Sequence, residues 1–287
     1  MTRWNNQLKT VVLLGGLTAI LIGIGGALAP GRLPFFVVLA MAMNVGAYFF
    51  SDRLVLRMHG ARELGPGEAS GLRDMVARLS ARAEIPMPRL FLIDADQPNA
   101  FATGRNPQHG VVAVTRGLLQ LLPPAEVRGV VAHELAHIRN RDILVSTVAA
   151  CLAGAITWAA HFVGFLGGGA RDGDDPPSPL ATLALMIVGP ITATLIQLGI
   201  SRSREYLADE TGASISGDPL ALARALERIE VAASGAPSEM AQPATASLFI
   251  VNPLTGSERM ARLFSTHPAT AERVGRLRAL ARGQLAA

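Results

Sequence analysis

His133-Glu134-Leu135-Ala136-His137 is followed, six residues later, by a long uncharged run that starts at Ile143. On a helix, residues four apart project from the same face, so the two imidazoles can reach one Zn²⁺. Glu134 then sets a carboxylate beside the same point, where it can act as general base toward water at a metal. The apolar lead-in Val130-Val131-Ala132 favours a buried helix, and the run at Ile143 places that helix beside a membrane.

Working outward, half of the 287 residues are hydrophobic and 17% are charged, against about 25% in soluble domains. Four uncharged stretches account for the difference: Thr10–Pro30, Leu33–Ser51, Ile143–Ala170 and Pro179–Ser201. Each is about long enough to cross ~30 Å of hydrocarbon as a helix. The first is longer than a typical signal h-region, and the second follows it at once, as in a hairpin.

Arg3 and Lys9 precede the first stretch, Arg53, Arg57 and Arg62 follow the second, Arg139 and Arg141 precede the third, and Arg202 and Arg204 follow the fourth. The opposite loops carry Arg32 on one hairpin, and Arg171 against Asp172, Asp174 and Asp175 on the other. The positive-inside rule puts both termini and both polar segments in the cytoplasm. The same pattern explains a pI near 10.1 without nucleic acid, because the bases are interleaved with acids and aromatics are few. Cys151, the single cysteine, excludes an intramolecular disulfide and fits a reducing compartment.

These boundaries divide the chain into a transmembrane hairpin at 1–51, a polar segment at 52–142, a second hairpin at 143–201 and a polar segment at 202–287. The two polar segments read as halves of one catalytic domain, since neither looks complete alone. Leu72, Met75, Val76, Leu79 and Ala83 have helical spacing, ended by Pro86 and Pro88. Strand-type runs occur at Arg89–Ile93 and Val111–Thr115, and Pro123-Pro124 opens the motif helix. Asp218 and Pro219 have the form of an N-cap and first turn for a helix carrying Leu222, Leu226 and Ile229. Ser234–Ser247, rich in Ala, Pro and Ser, reads as a mobile loop.

A catalytic zinc ordinarily takes three protein ligands. Glu205, in Glu205-Tyr206-Leu207-Ala208-Asp209, is the candidate for the third, and Asp209, four residues on, can accept the ring N–H of a ligating histidine. Two intervening spans return the chain to the side of the membrane that holds His137, so the groups can meet. Arg202, Arg204 and Arg273 are candidates to brace the site through carboxylates such as Asp209. His59, His109 and His161 lack ligand spacing.

The His133–His137 motif with Arg139-Asn140-Arg141-Asp142, then Glu205-Tyr206-Leu207-Ala208-Asp209, resembles the HtpX family of membrane zinc metalloproteases. Asn99-Ala100-Phe101-Ala102-Thr103-Gly104 and Leu263-Phe264-Ser265-Thr266-His267-Pro268 match it too, in order along nearly the whole chain. The resemblance implies a mainly α membrane protein with four transmembrane helices and a cytoplasmic α+β zincin-like domain. It implies a bacterial inner-membrane endopeptidase acting on damaged membrane proteins, with His133, His137 and Glu205 as ligands and Glu134 as catalyst. It also places the His267 loop near the metal, which makes His267 the candidate oxyanion donor. Asn99, Ala100, Phe101 and Ala102 lie between two strand-type runs, and their small alanines would leave an edge open to extended polypeptide. Two other readings are a Ste24-like prenyl-protein protease and a zinc-binding membrane scaffold without activity.

Overall fold

A computed structural model describes residues 33–149, 202–235, 248–251 and 268–284, with scattered positions between 8 and 31. The first stretch apart from those positions, the third and fourth stretches beyond residue 149, the 236–247 segment and His267 lie outside the described residues.

Helix α1, Leu33–Met58, extends the second apolar stretch by seven residues and stops before Gly60, which turns the chain at φ +59°. Among the described residues it is the one helix long and apolar enough to cross a membrane. Phe35, Val38, Met41, Val45 and Phe49 recur along it at helical spacing and stay exposed. This is the pattern of a helix that faces lipid rather than a protein core. Asn44 on α1 donates to Thr18 Oγ1 (2.7 Å), and Met43 and Leu14 pack with the helical residues at 143–149.

Strand β1, Arg62–Glu63, was not legible from its two residues; helix α2, Ser70–Arg82, buries Val76 and Leu79 as its spacing predicts. Strands β2 (Arg89–Ile93), β3 (Ala100–Thr103) and β4 (Val111–Thr115) complete a sheet ordered β1-β2-β4-β3. β2 and β4 are parallel, whereas β3 returns antiparallel to β4 and forms the far edge. Short helix α3, Arg116–Leu121, is capped by Thr115 and leads into α4, Pro124–Asn140, with its proline in the first turn.

After residue 201 come α5, Arg202–Ser216, and α6, Pro219–Gly235. Asp218 Oδ1 accepts from Ala221 N–H (3.0 Å), the expected N-cap. The reading of Ser234 as loop is corrected here, since α6 continues through Gly235. Helix α7, Thr270–Ala281, closes the described chain. The core draws on both polar segments: Val76, Leu90, Val112 and Leu135 pack in one cluster with Ala208, Leu222, Leu226 and Leu277. At about 1.5–3 kcal/mol per fully buried aliphatic side chain, this cluster is what holds α4, α5, α6 and α7 together.

Candidate metal centre

Helix α4 is buried over most of its length because it is sandwiched: α5 lies on one side, α6 on another, and β3 touches a third. Its close approach to α5 depends on Gly212. A Cβ there would stand 2.9 Å from both the N and Cα of His133. With that methyl absent, Glu205 and Asp209 on α5 come level with His133 and His137 on α4.

The three predicted ligands meet. Their candidate donor atoms all lie within 4.8 Å of one another. His133 Nε2 is 3.1 Å from His137 Nε2, and Glu205 lies 3.7 Å from the first and 3.6 Å from the second. Each histidine's other nitrogen faces a carboxylate: His133 Nδ1 is 2.9 Å from Asp209, and His137 Nδ1 is 3.1 Å from Asp142. With Nδ1 protonated toward those acids, both Nε2 lone pairs aim into one gap, an arrangement that a shared cation relieves.

The charges agree with that fit. Glu134, Asp142, Glu205 and Asp209 are all buried, against the buried guanidiniums of Arg204 and Arg273. With neutral imidazoles, four carboxylates and two guanidiniums leave a formal −2, which one divalent ion balances. Burial opposes charge on His137, but Asp142, Glu205 and Glu134 outweigh it and raise its pKa to about 10. The proton so retained marks a place where positive charge is strongly favoured. Burial pulls His133 the other way, below the ordinary imidazole range.

Glu134 is 4% exposed, and burial pushes its pKa up to about 7, into the range of a useful general base. Its Oε2 accepts the Ala102 N–H at 2.7 Å, so the sheet edge holds the carboxylate in place. That contact sets β3 beside the motif helix, with Ala102 in the lining of the cleft. Ala100 and Ala102 are 1% and 7% exposed, and the segment at 248–251 lies against β3. Asn99 makes that junction, donating to Leu248 O (3.4 Å) and accepting from Ile250 N–H (3.1 Å).

Arg273 reaches the site from α7 and is 1% exposed. It donates to both Asp209 oxygens (2.8 and 2.7 Å) and to Ile250 O (2.9 Å). Its Nη2 also lies 3.4 Å from His133 Nε2. Burial works against the Asp209 charge, but Arg273 and His133 hold its carboxyl down to about 2. Arg202 does not join the site. It is the first residue of α5 and is exposed, whereas Arg204 is buried beside Asp142 and Glu205. Sequence reading also passed over Asp142 as a partner of His137; the signal was there, five residues past His137 and just beyond the helix end. Arg141, in a left-handed conformation (φ +59°), turns the chain so that Asp142 faces back toward the helix.

Phe101, Ile143, Leu248, Phe249 and Ile250 line the cleft with the His133, His137 and Glu205 group, an apolar wall against a polar centre. His59 stays apart from that group, packed against Phe101 and Phe249 (ring centroids 5.3 and 6.3 Å).

A mixed sheet backed by a helix pair that presents two imidazoles with the carboxylates of Glu134 and Glu205 to one gap is the architecture of a metallopeptidase. The peptidase family M48 model matches residues 66–281. "Protease HtpX homolog" of Syntrophobacter fumaroxidans is 52% identical over 281 residues, covering 96% of this chain and 99% of that protein. The protein of the same name from Burkholderia mallei strain SAVP1 is 50% identical over 280 residues, covering 96% and 98%. The crystal structure of S. mikatae Ste24p shares the fold, with TM-score 0.50 and 18% identity, over 95% of this chain and 64% of that one. The chain belongs to peptidase family M48, as a membrane metalloprotease of the HtpX kind.

Proposed function

We propose that this protein is a zinc endopeptidase that cuts misfolded or damaged membrane proteins at the cytoplasmic face of a bacterial inner membrane. In this reading the chain crosses the membrane four times, both termini are cytoplasmic, and segments 52–142 and 202–287 form one catalytic domain. His133, His137 and Glu205 would hold the metal, a two-histidine, one-carboxylate donor set that suits zinc. Bound zinc would supply the Lewis acidity that activates water and polarises the scissile carbonyl.

The chain's own groups then divide the work. Asp209 and Asp142 fix the histidine rings through Nδ1, leaving Nε2 unprotonated for the metal. Glu134 takes a proton from the attacking water and returns it to the leaving amine. Arg273 keeps Asp209 ionised and, through Ile250 O, holds the 248–251 wall. Of the two candidate braces at the start of α5, Arg204 takes the place beside Asp142 and Glu205. His267, six residues before Arg273, is retained as oxyanion donor on the family resemblance. Ala100 O and Ala102 O, on the side of β3 away from β4, would pair with extended polypeptide.

The single observation that carries this reading is the pair of Nε2 atoms facing each other at 3.1 Å with Glu205 completing the triangle. Proteolysis of an unfolded polypeptide by purified protein with zinc is the test. Glu134→Gln should lower turnover by about 10³-fold or more, within the range of general-base losses, while one equivalent of zinc stays bound. Retained turnover would remove Glu134 from the mechanism, and zinc binding unchanged by Glu205→Ala would remove the third ligand. Orientation is tested separately in a Cys151→Ala background. Cysteine at Asp174 should be labelled from outside intact cells, and cysteine at Ser214 should not.

A further inference from the structure

The sheet is not placed at random beside α1. Phe101 on β3 lies level with His59, just past the end of α1, with ring centroids 5.3 Å apart. Further down, the Arg105 guanidinium lies 5.3 Å from the ring centroid of Phe49. From His59 to Phe49 is ten residues of near-helical rise, about 15 Å. From Phe101 to Arg105 is four residues, the last two beyond the end of β3, or at most about 13 Å. The two lengths agree, so β3 runs alongside α1 and in the opposite sense. A third contact falls on the same scale. Arg89, paired through Val111 to the Thr103 end of β3, lies 3.7 Å from Asp52.

With α1 as a membrane span, the lower end of that scale falls at the bilayer surface. The apolar run of α1 ends at Ser51, and Asp52 and Arg53 are the first charges after it. Phe49 and Phe50 are exposed on α1, each with a guanidinium over its ring, from Arg105 and Arg53 respectively. Aromatic rings with arginines above them are what the boundary between hydrocarbon and headgroups selects. The same end of β3 meets the start of the next apolar run, where Thr103 Oγ1 and Thr147 Oγ1 are 2.9 Å apart.

Thr115 N–H donates to Asn99 O (2.9 Å), so by antiparallel alternation residues 101 and 103 face β4. Residues 100 and 102 therefore turn their backbone groups outward, and the Ala102 N–H reaching Glu134 agrees. The cutting position is thus fixed opposite Ala100–Ala102, three to five residues above Arg105.

We propose that β3 acts as a ruler standing on the membrane: a polypeptide paired along it is cut about three to five residues, roughly 10–17 Å, beyond the end of its own transmembrane segment. This rests on the endopeptidase reading above. It adds that distance from the bilayer, rather than side-chain identity, selects the bond.

The test uses full-length enzyme with zinc, reconstituted in vesicles with a single-span substrate. The substrate's polar tail repeats one cleavable tetrapeptide, and the same repeat serves as a free peptide. Mass spectrometry maps the first cut. Cuts should cluster three to five residues past the last apolar residue. Inserting two residues at the start of the tail should leave that count unchanged while moving the cut within the repeat. Arg105→Glu, and Arg105→Gln as a milder variant, should spread the cuts over many positions while free-peptide hydrolysis stays within twofold. Cuts that follow the repeat regardless of distance, or a distribution unmoved by both Arg105 variants, would overturn the ruler. If neither substrate is cut, the endopeptidase reading itself falls; if the free peptide is cut and the tail is cut at scattered positions, only the ruler falls.

Discussion

Helix α4 meets α6 and α5 on two sides, and each contact closes over a glycine. A Cβ on Gly129 would lie 2.8 Å from Leu222 N of α6, and one on Gly212 of α5 would lie 2.9 Å from His133 N. The α6 side is filled by Leu222, Leu226 and Ile229, each at most 2% exposed. The α5 side carries Glu205 and Asp209, 6% and 3% exposed, with Arg273 reaching in from α7 at 1%. Aliphatic contacts stabilise the first seam with no further requirement. The second tolerates buried charge only because every carboxylate has a partner and a cation would complete the set. One device for bringing helices close therefore serves cohesion on one side and chemistry on the other.

That contrast can be broken most forcefully at Arg273. Arg273→Ala leaves Asp209 buried without its guanidinium and should destabilise the zinc-loaded protein by about 3–5 kcal/mol, read as a lowered thermal midpoint in detergent. A smaller shift would mean that the seam does not depend on this pair. Next is Gly212→Ala, which should cost about 1–3 kcal/mol and also lower zinc affinity about tenfold or more, by levering Glu205 and Asp209 from His133. Gly129→Ala should cost a similar 1–3 kcal/mol but leave zinc affinity unchanged, since no site residue lies on that seam. Equal zinc loss in both variants would erase the distinction between the seams. The smallest effect is expected at Gly275 in α7, where an added Cβ meets nothing within 4 Å. Gly275→Ala should raise stability by about 0.5–1 kcal/mol, as a glycine relieved in mid-helix does.

Legibility in the sequence followed the range of the interaction. His133 and His137, four apart, and Asp218 with Pro219, adjacent, announce themselves because helical geometry links near neighbours. Strands Arg89–Ile93 and Val111–Thr115 were readable from their composition, with the observed bounds. The tie from Arg273 to Asp209 spans 64 residues and carries no period, so the sequence offers Arg273 only as one of three candidate braces, with Arg202 and Arg204. Arg202 and Arg204 are indistinguishable as juxtamembrane bases, and only the packing of α5 against Asp142 decides which one is buried. β1, two residues long, has no pattern to read. The docking of the 248–251 segment on Asn99 joins residues about 150 apart in sequence, and no local pattern announces it.

The span of the α5 seam also has a meaning in time. His133 leaves the ribosome long before its brace Arg273, which lies 140 residues further along. At about 5–20 residues per second, roughly 7–28 s pass between the two. Through that interval His133 lacks Arg273, and for its last 64 residues Asp209 lacks it too. The site described above is therefore complete only once α7 has been made.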